Sequence, residues 1–197
     1  MTLVDWLLVL RLFRPQVPAA TSRSAVKKIV VIGSGGAGKS ILAREMSRIL
    51  GINVIHLDAL FWKPGWVKTS KGKWEETQKK LVQQDNWIID GNYGGTMDIR
   101  LEAADAIVFL DMSRVRCVWQ VVKRVLQYRG RTRPDLADGC PEQLPSREFL
   151  QWIWNYPKER RPQILQKLEE YGKTREVFVL HTPRQVRSFL KTLKDRS

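Results

Sequence analysis

Eight residues constrain what this chain can fold into more than any others: GSGGAGKS, residues 33–40. The β-branched run Ile29-Val30-Val31-Ile32 before them reads as a buried strand. Behind them Ile41, Leu42, Met46, Ile49 and Leu50 supply the apolar positions of an amphipathic helix. A strand that turns through glycines into a helix aims backbone N–H groups at one spot, and the helix dipole adds positive potential there. Gly33, Ser34, Gly35, Gly36, Ala37 and Gly38 would form that cradle, with the glycines removing side chains that would block a phosphate. In a loop of this pattern Lys39 reaches the β- and γ-phosphates and the Ser40 hydroxyl ligates Mg²⁺. ATP and Mg²⁺ are the ligands to expect.

At 197 residues the chain suits one α/β domain, residues 27–197, behind an N-terminal extension and linker of residues 1–26. The apolar run at the start is brief, Asp5 interrupts it, and it lacks the basic start of a secretory signal. It also falls short of the roughly 20 apolar residues that span a bilayer. No integral membrane span is therefore expected. The alternatives are a helix packed on the domain, a poorly ordered extension, or peripheral membrane contact through Leu3, Trp6, Leu7, Leu10 and Phe13. Cys117 and Cys140 give neither a disulfide framework nor a metal cluster, which suits a reducing, cytoplasmic setting.

With 34 basic against 20 acidic side chains, the net charge is +14. The sharpest block is Arg114–Arg133, where Arg114, Arg116, Lys123, Arg124, Arg129, Arg131 and Arg133 occur without one acidic residue. Such a field attracts polyphosphates, nucleic acid and anionic membranes alike. Charge alone does not choose among them.

Along the chain, residues 53–57 read as a second strand ending at Asp58. A carboxylate there lies at the edge where open α/β sheets bind ligands, and could orient or deprotonate an acceptor hydroxyl. Phe61, Trp62 and Trp66 read as an acceptor pocket or as aromatic core, and His56 as packed or solvent-facing. Trp74–Gln84 reads as a helix, and Trp87-Ile88-Ile89 as a third strand ending at Asp90. Asp90 would hold Mg²⁺ through water beside the phosphate loop. In the turn that follows, Gly91, Gly94 and Gly95 permit close approach to substrate, while Asn92 and Tyr93 offer polar contacts. A short helix from Thr96 to Ala103 carries Arg100, a further acceptor-binding candidate.

Ala106–Leu110 reads as a fourth strand, and the segment from Ser113 to Gln127 as a helix. That helix should pack through Val115, Val118, Trp119, Val122 and Leu126 and face solvent with Arg114, Arg116, Lys123 and Arg124. Residues 128–145 are the candidate mobile lid, whose arginines would clamp phosphate and exclude water. Beyond them lies a helical region that Pro157 and Pro162 should interrupt or bend. A fifth strand, Glu176–Leu180, leads to His181 and Thr182, weak adenine-site candidates, and a final helix.

The strings GSGGAGKS, HLDALFWKPGW, DGNYGG, RGRTRPDLADGCPE and WIWNYP together resemble the bacterial DNA topology modulation proteins, or adenylate-kinase-like P-loop kinases, over about Lys27–Leu193. The resemblance implies a three-layer α/β/α sandwich with a parallel five-stranded sheet, adenylate- or shikimate-kinase-like, and a short lid. It assigns Lys39 and Ser40 to triphosphate and Mg²⁺, Asp58 to the acceptor, and Asp90 to a DG turn like that of adenylate kinases. Arg124 and Arg129 resemble helix-to-lid arginines, with Arg131 and Arg133 as alternatives. The turn continues as DGNYGG rather than DGFPR, which argues against adenylate kinase activity itself.

The expected function is transfer of the γ-phosphoryl group of ATP to a small acceptor, a nucleotide or hydroxylated metabolite. Lys39, Asp58, Asp90, Arg124, Arg129 and Arg133 would be its catalytic residues. The competing reading is an ATP-regulated nucleic-acid-binding or interaction protein working through the basic surface.

Overall fold

The computed structural model describes residues 26–196, so nearly all of the expected N-terminal extension lies outside the described residues. Five parallel strands form the central sheet: β1 (Lys28–Gly33), β2 (Val54–His56), β5 (Trp87–Asp90), β6 (Ala106–Leu110) and β7 (Glu176–Leu180). Their order is β2-β5-β1-β6-β7. Parallel neighbours need crossovers, and the chain supplies them as helices. These are α1 (Lys39–Leu50), α2 (Leu57–Phe61), α3 (Lys71–Leu81), α4 (Met97–Ala103), α5 (Arg114–Tyr128), α6 (Arg147–Glu159) and α7 (Arg161–Tyr171). Helix α8 (Pro183–Lys194) follows the last strand, and a short hairpin, β3 (Trp62–Lys63) with β4 (Val67–Lys68), stands outside the sheet.

The strands alternate between two cores. Ile29, Val31, Ile88 and Val108 pack with Leu42 and Met46 of α1, Cys117 and Val121 of α5, and Phe189 and Leu190 of α8. Val30, Ile32, Ile89 and Phe109 pack with Trp74 of α3, Leu101 of α4 and Leu168 of α7. Burial on both faces explains why β1 and β6 read as unbroken apolar runs rather than alternating ones. The result is the three-layer α/β/α P-loop fold.

Three local readings are corrected. Helix α5 packs through Cys117, Val121 and Val125, not through the stripe of larger side chains. Val115, Trp119 and Leu126 are 64%, 64% and 74% exposed, so the apolar stripe itself faces solvent, with Val118 alone of the five packed on the core. The periodicity was helical, but the core takes the smaller residues because α5 passes close behind the phosphate loop. The second strand ends at His56, and Asp58 lies in the first turn of α2. The helical region after residue 146 breaks at Arg160 alone: Pro157 sits inside α6, while Pro162 occupies the first turn of α7, where its missing N–H costs nothing.

Candidate active site

The order of strands changes direction beside β1: the chain leaves it for β2, two places to one side, and later returns to β6 on the other. Open sheets bind ligands at the carboxyl ends of strands at such a point. The GSGGAGKS turn sits there, and close packing explains two of its glycines. A Cβ on Gly33 would lie 2.6 Å from the Leu110 carbonyl oxygen, and one on Gly36 would lie 2.2 Å from that of Cys117. Gly38 differs. It adopts φ +96° as the N-cap of α1, with no atom near its missing side chain. Its open side is where an anion would approach the helix N-terminus. Lys39 Nζ reaches back across the loop to the Ser34 carbonyl at 3.1 Å.

Asp90 ends the strand next to β1, paired in register with Val31. Its carboxylate is 5% exposed; Oδ2 meets His56 Nδ1 at 2.9 Å, while Oδ1 is buried without a hydrogen-bond partner. An orphaned carboxylate oxygen beside a phosphate cradle fits the hydration shell of Mg²⁺, with Ser40 as the second oxygen donor. His56 was not expected here. Its signal was parity with Asp90: the β2–β5 register pairs His56 with Asp90 directly.

The DGNYGG turn is held from both ends. Gly33 N–H donates to Asn92 Oδ1 at 2.9 Å, and Asn92 Nδ2 donates to the Gly33 carbonyl at 2.6 Å. Asn92 thus clasps the start of the phosphate loop. Tyr93, in a left-handed conformation at φ +38°, donates its hydroxyl to Asp58 Oδ1 at 2.6 Å. Burial, and then the Asp58 charge, push the Tyr93 pKa up, so the phenol stays protonated. Gly91 packs against Leu57, whereas Gly94 and Gly95 are exposed.

Arg100 corrects the expectation of an acceptor contact. It is fully buried, and its guanidinium donates to Gln78 Oε1, to Thr96 and to the Asn92 carbonyl. Burial lowers its pKa to about 10. It props the turn from behind. Trp62 belongs to an aromatic cluster, edge-on to Phe61 at 5.1 Å and to Trp66 at 5.4 Å.

The candidate lid, residues 128–145, packs on the β3–β4 hairpin. Gly65 N–H donates to the Gly139 carbonyl at 2.9 Å, Trp66 Nε1 to the Pro141 carbonyl at 3.1 Å, and buried Cys140 faces the Lys63 carbonyl. Two of its expected phosphate clamps are spoken for. Arg124 Nε lies 2.9 Å from Glu142 Oε1; Arg133 Nε lies 2.6 Å from Glu142 Oε2, and its NH1 lies 3.0 Å from Asp135. Arg129 and Arg131 are exposed, with no carboxylate partner among the described residues.

On the other flank Asp111, at the end of β6, accepts from Arg161 Nε at 2.9 Å and lies 3.2 Å from His181 Nδ1. Asp111, like Asp90, is an acidic residue at a strand end, and the sequence marks it by the same pattern. Thr182 caps α8, its hydroxyl accepting from Gln185 N–H while Gln185 reaches back to the Thr182 N–H. That reciprocal box uses the Thr182 hydroxyl as an acceptor, and His181 beside it is exposed.

A cleft of about 430 Å³ opens beside the turn, lined by Asn92–Gly95, Met97, Trp152, Tyr156 and Arg160, with Gln163, Ile164 and Lys167 along α7. It touches the cradle twice. Asn92 is bonded to Gly33, and the Phe149 ring, stacked on Trp152, lies where a Gly35 Cβ would come within 2.9 Å. Sequence alone did not bring Trp152, Gln163 and Lys167 here, because their meeting depends on the break at Arg160.

A glycine loop at a switch point, with an acidic strand end on the neighbouring strand, is the layout of the three-layer P-loop fold. No family model matches the chain, and no curated protein matches it. Solved structures do. Shikimate kinase from Acinetobacter baumannii in complex with shikimate is 16% identical, with 86% of this chain and 91% of that one covered and a TM-score of 0.55. A gluconokinase from Sinorhizobium meliloti (16%, 86% and 94%, TM-score 0.48) and deoxyadenosine kinase from M. mycoides with bound dCTP (16%, 85% and 99%, TM-score 0.45) are further matches. The likeness is one of fold, that of small-molecule P-loop kinases. These matches do not show the resemblance to the DNA topology modulation proteins.

Proposed function

We propose that this chain transfers the γ-phosphoryl group of ATP to a small acceptor. The observation that carries the reading is the meeting of the glycine cradle with the unpartnered Oδ1 of Asp90, one strand away. Lys39 and the loop amides would hold the triphosphate, and Ser40 with Asp90 would hold Mg²⁺, which neutralises charge on the phosphates when bound. His56 would fix the Asp90 carboxylate in orientation. The acceptor oxygen would bond to the γ-phosphorus as the bond to the β-bridging oxygen breaks, releasing ADP; a hydroxyl acceptor would pass its proton to Asp58. Arg129 and Arg131, exposed on the lid, are better placed as clamps than Arg124 and Arg133, which acidic neighbours engage. No helix among the described residues is long and apolar enough to cross a membrane, and a cytoplasmic setting suits the reaction.

The test is ADP release by purified protein with ATP and Mg²⁺, against nucleoside monophosphates, nucleosides, hydroxylated metabolites and no acceptor. We expect ADP to form with one acceptor class and Lys39→Ala to lower that rate by about two to three orders of magnitude. Absence of ATP or GTP affinity in folded protein with Mg²⁺ would overturn the reading.

A further inference from the structure

The cleft beside the turn has one flat wall and one unmatched charge. Trp152 lies parallel to Phe149 (centroids 6.0 Å apart, 11° between planes) and edge-on to Tyr156 at 5.4 Å. These contacts fix the indole plane, with Met97 and Ile164 also apolar on the lining. An immobilised aromatic face takes a ring at little cost in conformational entropy.

The polar groups are of two kinds. Lys167 is paired with Asp98 at 2.5 Å, and Arg161, next along the chain, is held by Asp111. Arg160 is exposed on the lining, and no carboxylate among the described residues pairs with it. Its place is set by backbone: Arg160 N–H donates to the Tyr156 carbonyl, and its own carbonyl accepts from Ile164 N–H, so it forms the single-residue joint between α6 and α7. Tyr156 is 4% exposed; the Asn92 side chain lies against its hydroxyl as a donor, and the hydroxyl's own proton meets no acceptor. Burial raises its pKa, so it stays protonated and keeps a proton to donate. A buried hydroxyl whose proton has no acceptor points to a ligand atom in that role.

We propose that this cleft is the acceptor site and that it takes a ring-bearing anion, with the ring against Trp152, a ring substituent on the Tyr156 hydroxyl, and a carboxylate or phosphate on the Arg160 guanidinium. The proposal rests on the phosphotransferase reading and narrows it. A volume of about 430 Å³ admits a body from one ring to a nucleoside, and a guanidinium fork matches either oxyanion. Both a cyclic carboxylic acid and a nucleoside monophosphate have this chemistry. Open-chain sugar acids lack the ring, and free nucleosides lack the charge.

The experiment is calorimetric and tryptophan-fluorescence titration of the full-length protein, without ATP. One arm uses AMP and CMP against adenosine and cytidine; the other uses 4-hydroxybenzoate and cyclohexanecarboxylate against their primary amides. Inorganic phosphate is run alone. We expect one arm to bind, its charged member at least tenfold tighter than the uncharged match. Arg160→Gln should remove that preference, Arg160→Lys should restore part of it, and Trp152→Leu should weaken charged and uncharged ring ligands together. Binding by neither arm, no charge preference, or a preference that survives Arg160→Gln would overturn the proposal. Tyr156→Phe supplies an independent check, since it keeps the ring packing and removes only the hydroxyl. The two readings fail separately. ADP formation with an acceptor whose KM is unmoved by Arg160→Gln sinks this assignment and leaves the kinase. Arg160-dependent binding with no ADP formed does the reverse.

Discussion

At the scale of single residues, the phosphate loop separates two meanings of glycine. At Gly36 the carbonyl of Cys117 occupies the space a side chain would need, so Gly36→Ala must push the start of α5 away. A loss of about 2–3 kcal/mol in denaturant unfolding is expected, the usual cost of overpacking. At Gly38 there is no clash, only a left-handed backbone, and Gly38→Ala should cost about 1–2 kcal/mol in stability. Arg100 behaves differently again. Arg100→Met keeps much of the volume but strands the Asn92 and Thr96 carbonyls and Gln78, and should lower stability by about 3 kcal/mol in the same assay. Its sequence position, three residues into an amphipathic helix after a glycine turn, looked like a ligand contact. Whether an arginine there points into the turn or out of it depends on Gln78 of α3, 22 residues away, and no local pattern encodes that pairing.

At the scale of elements, α5 shows what periodicity can and cannot say. Apolar residues recur every three or four positions on two faces, and the pattern identifies a helix whichever face is buried. Burial went to Cys117, Val121 and Val125. Trp119→Ser should therefore change stability by no more than about 0.5 kcal/mol, whereas Val121→Ala should cost about 1–3 kcal/mol, measured by thermal or denaturant unfolding. The central strands β1, β5 and β6 were more legible because both faces of each are buried, which leaves no side to choose. Thus Trp87–Asp90 and Ala106–Leu110 lie where the sequence placed them, while β2 stops early because Leu57 turns into α2 and fills the second core. The candidate lid, residues 128–145, is marked in the sequence by its arginines and turn residues. Its docking on the β3–β4 hairpin was not legible, because Cys140, Gly139 and Pro141 meet that hairpin some 75 positions away in sequence.

At the scale of the whole molecule, Glu142 gathers Arg124 of α5 and Arg133 of the lid onto one buried carboxylate. Burial and the neighbouring Arg133 charge lower the pKa of Arg124, so its charge is tolerated chiefly through Glu142. Glu142→Gln should loosen the lid without melting the sheet: amide exchange should quicken across residues 129–142 and stay slow in β1 and β6. Equal protection of the lid in the variant would show that the hairpin contacts suffice. The Asn92 clasp on Gly33 reaches further. One side chain is bonded to the first glycine of the loop and also lines the neighbouring cleft, so it is the contact through which a guest on either side would act on the other. Thermodynamic reciprocity makes any coupling through this side chain equal in both directions: whatever factor one guest applies to the affinity for its companion, the companion returns.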